Sequence, residues 1–411
     1  MLMSLNILLL FYLLIEGFSK KKWSGEITLA IRYSIIIPTF NRAQQLLLTL
    51  VSFETQTYPK HLFEVIVADD GSTDGTKAMV EGFQASYPLI YVSHQEQRGR
   101  SAVRNLGLRH AKGLYVIFCD ADFLVLPEFI KIVSRYHRKY PKAVLSGIPY
   151  SWDDAYTHYY PDFSPEEKEH FRNRLTQSNL WNPDFEAANE IIPLVTPEDI
   201  LYQTVALSKL VIPTKVPPNV KKQLAKTDVA PWMLLVTRCV SIRRSQLTRI
   251  GGFNERFVLY GLEDWELGYR LHQLKIPFYS IKEVVGYHQE HPNYFRGNII
   301  NTENLKIMFE TYGFNDSSLN LFTLLPPSED FEAYKNTLRV LRKGIRSKLT
   351  RSSALLLKKT LKISAKQFFQ QNNTHAHKKS LRWIKKKTKN RKSRVATVLR
   401  EMLLRSEKLV K

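Results

Sequence analysis

From Tyr33 onward the apolar positions fall into short unbroken runs, separated by stretches with helical spacing. Tyr33-Ser34-Ile35-Ile36-Ile37-Pro38 is β-branched and ended by proline, which predicts a strand. Asn41-Arg42 then opens a stretch with apolar residues at Leu46, Leu47, Leu50 and Phe53, the spacing of one helix face. Residues 63–68, 89–92 and 114–118 predict three more strands, and 99–112 and about 127–137 predict helices. Strands that are apolar throughout are covered on both faces, and strand–helix alternation of this length builds βαβ units. The expected fold is α/β: a Rossmann-like, mainly parallel, doubly wound sheet with its ligand crevice at the carboxyl ends of the strands.

Polar residues cluster where those strands end. The second stops at Asp69-Asp70-Gly71-Ser72, a turn-forming sequence. The fourth stops at Asp120-Ala121-Asp122, where alternation along an extended backbone points the two carboxylates the same way. Two hard oxygen donors suit Mg²⁺ or Mn²⁺, and such an ion would hold a diphosphate; a solvated acidic turn is the plainer reading. Between about 151 and 227 the periodicity fades, and aromatics stand beside acids, as in Trp152-Asp153-Asp154 and Trp181-Asn182-Pro183-Asp184. Ring faces beside polar groups suit sugar binding, but the same residues could form a satellite core; both readings stay open. Regular structure resumes over 233–242 and near 246–250, before the permissive turn Gly251-Gly252. Residues 260–271 place Glu263, Asp264 and Glu266 at the start of an amphipathic helix, whose dipole favours ionised carboxylates. An ionised carboxylate entering a cleft can accept a hydroxyl proton. His288, in Tyr287-His288-Gln289-Glu290-His291, is a candidate third metal donor.

Composition changes this picture mainly at the ends. With 44% hydrophobic and 12% aromatic residues the chain is a globular protein, not a disordered one. The net charge of +22 sits in the tail: residues 335–411 hold 25 Lys and Arg against Glu401 and Glu407, which leaves 35 basic and 36 acidic residues in 1–334. Its alternation of apolar clusters with basic runs predicts a helical tail that attaches to anionic membrane, with a polyanionic glycan, a protein or plain solvation as the other readings and nucleic acid behind them. Cys119 and Cys239, both in apolar settings, offer no disulfide framework or zinc pattern and fit a reducing compartment. The apolar stretch 7–15 is about half of the roughly 20 residues a spanning helix needs. The basic cluster Lys20-Lys21-Lys22 follows that stretch, where a secretory signal would have its basic residues ahead. The expected location is the cytoplasm, at the inner face of the membrane.

Five stretches in order, SIIIPTFNR (34–42), EVIVADDGSTDGT (64–76), GRSAVRNLGLRHAKGLYVIFCDAD (99–122), GGFNERFVLYGLEDWELGYRL (251–271) and YHQEHP (287–292), resemble the inverting family 2 glycosyltransferases of GT-A fold, in their chondroitin-polymerase-like and galactosyltransferase-like branches. The resemblance implies transfer of a sugar from a UDP-sugar to a glycan or glycoconjugate hydroxyl in surface polysaccharide assembly, with Mn²⁺ or Mg²⁺ as cofactor. It implies that Pro38, Thr39 and Arg42 line the nucleotide pocket and that Asp69 or Asp70 accepts the uracil N–H. Arg100, Arg104 and Asn105 would lie near ribose and diphosphate. Asp122 and His288 would bind the ion, Asp120 the ribose or the ion, Asp264 would be the general base, and Glu263 would hold the acceptor. Tyr260 and Leu262 stand where relatives often have Trp and Gly. The implied organisation is an N-terminal extension (1–32), a nucleotide-sugar half (33–150), an acceptor and catalytic half (151–325) and the basic tail (326–411). Two rival functions are a nucleotidyltransferase, which would carry a glycine-rich loop where this chain has Pro38-Thr39-Phe40-Asn41, and a non-catalytic scaffold retaining the fold.

Overall fold

The computed structural model describes residues 30–204, 207–292, 302–370 and 374–409, so the apolar stretch 7–15 lies outside the described residues. Residues 31–411 form one compact unit. The strands are β1 (Tyr33–Thr39), β2 (Phe63–Asp69), β3 (Leu89–Ser93), β4 (Tyr115–Cys119), β5 (Phe123–Val125), β6 (Val144–Ser146), β7 (Asp154–Ala155), β8 (His158–Tyr159), β9 (Ile192–Pro193), β10 (Val211–Ile212), β11 (Cys239–Arg243), β12 (Phe278–Ser280) and β13 (Gly286–Gln289).

Seven strands make the main sheet in the order β12-β6-β11-β4-β1-β2-β3. β1, β2, β3 and β4 run parallel, as their predominantly apolar sequences predict, and β11 is antiparallel to both β4 and β6. Ile35, Ile36, Ile37, Val65, Ile66, Val67, Val116, Ile117 and Phe118 are wholly buried. The register that pairs Cys239 with Cys119 sets Arg238 against Asp120, whose amide donates to the Arg238 carbonyl at 3.3 Å. A second sheet, β10-β7-β13-β5, crosses the end of β4. Within it β13 pairs with β5 through His288–Phe123 and with β7 through His288–Asp154. One histidine is thereby fixed beside both the Asp120–Asp122 turn and an acid from the irregular segment.

That segment resolves the choice left open for its aromatics. Tyr156, Tyr159, Tyr160, Phe163, Phe171 and Phe185 pack together with Leu48, Val51 and Leu124, with Trp181 against them. They are a satellite core; Trp152 alone among the aromatics singled out there lines the cleft described below.

The tail is helical, over Phe331–Arg346, Arg351–Gln370, Thr374–Thr388 and Arg394–Lys408, but it is not an appendage. Leu341, Leu357, Leu361, Leu381, Leu399 and Met402 belong to the same buried cluster as Trp232, Phe253 and Leu267 of the body. These apolar residues are turned onto the protein, whereas Leu349, Leu355, Trp383 and Leu404 stay exposed. Lys335, 1% exposed, donates through Nζ to the carbonyls of Gln223 and Lys226, and burial lowers its pKa to about 7. Leu361→Ala should therefore destabilise the whole unit by about 2–5 kcal/mol, read as a lower urea midpoint of a single transition that includes the body's tryptophan fluorescence. A separate tail transition with the body unchanged would contradict this packing. Among the described residues no helix is long and apolar enough to cross a membrane.

Candidate active site

The carboxyl ends of β1, β2 and β4, the second sheet and the start of the helix Glu263–Gln273 enclose a cleft of about 930 Å³. Pro38, Thr39, Arg42, Asp70, Arg100, Arg104, Asp120, Asp122, Glu263, Asp264 and His288 all line it. The tail contributes too, through Pro327, Ser328 and Phe331.

At one end Asp122 faces two histidines. His288 Nε2 is 3.6 Å from its Oδ1, and His291 Nε2 is 3.5 Å from its Oδ2. The far nitrogen of each ring is engaged: His288 Nδ1 with Asp154 Oδ1 at 2.9 Å, and His291 Nδ1 with the Pro292 carbonyl at 3.1 Å. Both rings thus turn Nε2 to the same carboxylate, the arrangement by which a further partner orients a metal-ligating histidine. Ligands about 2.1 Å from a first-row divalent ion stand roughly 3.0–3.5 Å apart, so these three donors fit one with little movement. The family resemblance groups Asp120 with Asp122 and His288; the structure groups His291 with them instead. Asp120 points toward Arg104 at 4.0 Å, with its side chain 32% exposed in the cleft. Burial alone would raise the Asp122 carboxyl, but His288, His291 and Arg42 outweigh it and hold it well below the usual range. Burial drives His291 down to about 3, so that ring is neutral. Burial and Arg238 work against the His288 charge, yet Asp122 and Asp154 leave its pKa raised.

The other end is built on Arg104, 3% exposed on the helix Arg100–His110. Its guanidinium lies 3.3 Å from Glu263 Oε1, 3.5 Å from Asp264 Oδ1 and 4.0 Å from Asp120 Oδ1. Asp264 Oδ2 accepts from the Thr237 amide (2.9 Å) and hydroxyl (3.0 Å), whereas Oδ1 is buried without a hydrogen-bond partner. Burial, with Glu263 adding to it and Arg104 opposing, pushes the Asp264 carboxyl up to about 6. An acid anchored by one oxygen, with the other beside Arg104 but accepting no hydrogen bond and a pKa of about 6, is suited to accept a proton. Leu262, just ahead of this helix, has φ +71°, a left-handed conformation that explains why glycine is expected there. Replacing it with glycine would relieve about 1 kcal/mol of strain but remove a 4%-exposed side chain worth about 1.5–3 kcal/mol of burial, so packing keeps the leucine.

Other predicted residues differ in whether they reach the cleft. Asp69 does not line the cleft; it accepts from Ser72 N and Oγ and from the Tyr91 hydroxyl. Asp70 does line it, with its carboxylate engaged by the Arg98 and Gly99 amides and by His94. Asn105 lies outside the cleft and bonds Phe253 N and O and Glu255, fixing the Gly251-Gly252 turn. Arg100 lies over the Tyr260 ring, 4.3 Å from its centroid. Among the cleft residues to which sequence reasoning gave no role are Asp154, Thr237, Arg238 and, as a candidate metal donor, His291.

A mainly parallel sheet with an Asp-x-Asp turn at one strand end, an acid at the start of a following helix and histidines on and just beyond β13 resembles the GT-A arrangement of glycosyltransferases. Residues 34–188 match the family model Glycosyl transferase family 2, and residues 231–293 match N-terminal domain of galactosyltransferase. It is 34% identical over 266 residues to an uncharacterized glycosyltransferase, YfnE, of Bacillus subtilis, a match covering 63% of this chain and 65% of the relative. It is 31% identical over 273 residues to a validoxylamine A glucosyltransferase of Streptomyces hygroscopicus (65% and 57%) and 32% identical over 263 residues to chondroitin synthase of Escherichia coli (63% and 35%). The chain thus spans less than two thirds of the length of each of these relatives. Among solved structures, S. aureus TarS 1-349 in complex with UDP-GlcNAc aligns with 92% of this chain and 89% of its own, at TM-score 0.48 and 16% identity.

Proposed function

We propose that this protein is an inverting, divalent-metal-dependent glycosyltransferase that moves a sugar from a UDP-sugar to a hydroxyl of a glycan or glycoconjugate in surface polysaccharide assembly. The observation that carries the reading is the convergence, on one cleft, of the Asp122–His288–His291 donor set with the anchored carboxylate of Asp264. The donor set holds two imidazoles and one carboxylate, a softer combination than paired aspartates, and this favours Mn²⁺ over Mg²⁺. When bound, the ion neutralises charge on the leaving diphosphate. Arg100, stacked on the Tyr260 ring in the cleft wall, can meet the same oxyanions, and Asp120, partly exposed in the cleft, can accept a ribose hydroxyl. Asp264 Oδ1 takes the proton of the acceptor hydroxyl, while Thr237 holds its other oxygen and Arg104 stays beside it. Glu263, also on Arg104, fixes the edge of the acceptor pocket. One displacement from the face opposite the leaving group inverts the anomeric carbon.

The tail's outward Lys and Arg residues support contact with an anionic surface through charge rather than insertion, at the inner face of the membrane. The deciding experiment incubates the full chain with Mn²⁺ and a panel of UDP-sugars: one donor should release UDP and raise the melting temperature above that with UDP alone. Equal, metal-independent behaviour of every donor would remove the proposal.

A further inference from the structure

The cations of the cleft are not equivalent. Arg104 is held among three carboxylates and Arg100 is stacked on Tyr260. Arg238 follows Thr237, the residue that anchors Asp264, and its own carbonyl accepts the Asp120 amide. It therefore stands between the end of the cleft that holds the metal donors and the end that holds the base. Its side chain is 18% exposed, and its nearest carboxylate oxygen, Asp154 Oδ1, is 3.9 Å away. That oxygen is already engaged by His288 Nδ1 at 2.9 Å. Arg238 Nη1 is buried with no hydrogen-bond partner. A buried guanidinium N–H without an acceptor is costly, and a planar fork of donors is the group that best matches a carboxylate or phosphate. Lys215 lines the same cleft, is exposed, and makes no ion pair among the described residues.

We propose that Arg238, with Lys215 lining the same cleft, receives a carboxylate or phosphate carried by the transferred sugar or by the acceptor, so that the substrate is an anionic saccharide in addition to its nucleotide. The inference rests on the glycosyltransferase reading and narrows its substrate class. The diphosphate itself is assigned to the Asp122 end and Arg100, so UDP affinity should depend on Arg238 less than binding of the further anion does.

The test is calorimetric titration of the full chain in Mn²⁺. In the donor arm UDP-glucuronic acid is compared with UDP-glucose; in the acceptor arm, with UDP saturating, methyl glucuronide and glucose 1-phosphate are compared with methyl glucoside. One arm should show a preference for the anionic compound of about tenfold or more, lost in Arg238→Gln, partly kept in Arg238→Lys and weakened in Lys215→Ala, with UDP affinity changed by less than the anionic preference in each variant. The donor arm would place the anion on the sugar and the acceptor arm on the acceptor. No anionic preference in either arm overturns the proposal. So does an Arg238→Gln variant that loses UDP as much as the anions, since the residue would then serve the diphosphate. Glucose 1-phosphate is also titrated without nucleotide, which separates the two readings. If the wild-type protein fails to bind UDP, the glycosyltransferase reading falls. Binding of glucose 1-phosphate that is lost in Arg238→Gln would even then support the anion site, and binding unchanged in that variant would overturn it.

Discussion

Asp264→Asn should slow transfer by about 10²–10⁴-fold, the range of a lost general base, while UDP binding in Mn²⁺ stays within about threefold of wild type. The reason lies in how the two carboxylate oxygens are used. Oδ2 is committed to the Thr237 amide and hydroxyl, so an asparagine must keep its carbonyl oxygen there. Its NH₂ then takes the place of Oδ1, beside the Arg104 guanidinium and in the path of the acceptor hydroxyl. A proton acceptor is replaced by a donor with almost no change in shape, and the metal donors at the far end are not touched. Wild-type activity should also carry an acid limb set by the same group. Because burial raises the Asp264 carboxyl to about 6, it is protonated and inactive below that pH and ionised above it. kcat/KM should fall about tenfold per pH unit below about 6 and level off above, and the variant's residual rate should lack that limb. Full transfer activity in Asp264→Asn would remove the base from this residue.

The main sheet was legible because a strand covered on both faces must be predominantly apolar, and 33–38, 63–68 and 114–118 are, with Ser34 and Glu64 as the polar exceptions. Asp122 and Asp264 were legible because acids placed abruptly after an apolar run or at a helix start are local signals. The rest depends on contacts that sequence spacing does not carry. Arg104 meets Glu263 across 159 positions, and the Asp154–His288 pair exists only because two-residue β7 lies parallel to β13. Nothing in an irregular segment marks Asp154 among its neighbours. His291 was visible, three positions after His288, but β13 ends at Gln289, and it is the turn beyond that brings the second ring onto Asp122. The packing of the tail was illegible for a different reason: a helix face that packs on a protein and one that packs on a lipid surface have the same apolar period. Only the presence of Phe253, Trp232 and Leu267 in one cluster with Leu361 and Leu399 distinguishes them.

Asp122→Ala should abolish measurable Mn²⁺-dependent UDP binding, a loss of about 100-fold or more in metal affinity. Asp122 supplies the only carboxylate of the donor set Asp122–His288–His291, and it also decides what those histidines are. Its charge opposes burial at both rings and is a main reason the His288 pKa stands above its ordinary value. In the absence of metal, His288 is therefore drawn toward the protonated state, and binding an ion must displace that proton. Affinity in the wild type should accordingly fall as the pH drops, with protons released on metal binding. In Asp122→Ala the His288 pKa should fall, with Asp154 alone left to oppose burial and Arg238, and the remaining imidazole pair has lost its anionic ligand. His291→Ala separates the structural grouping from the Asp-x-Asp one: it should weaken Mn²⁺ by about tenfold or more while Asp120→Ala, whose side chain faces Arg104, weakens it less. Titration of Mn²⁺ followed by electron paramagnetic resonance reads metal directly, without nucleotide or turnover. Unchanged Mn²⁺ affinity in Asp122→Ala, or a larger loss in Asp120→Ala than in His291→Ala, would return the ion to the Asp-x-Asp pair.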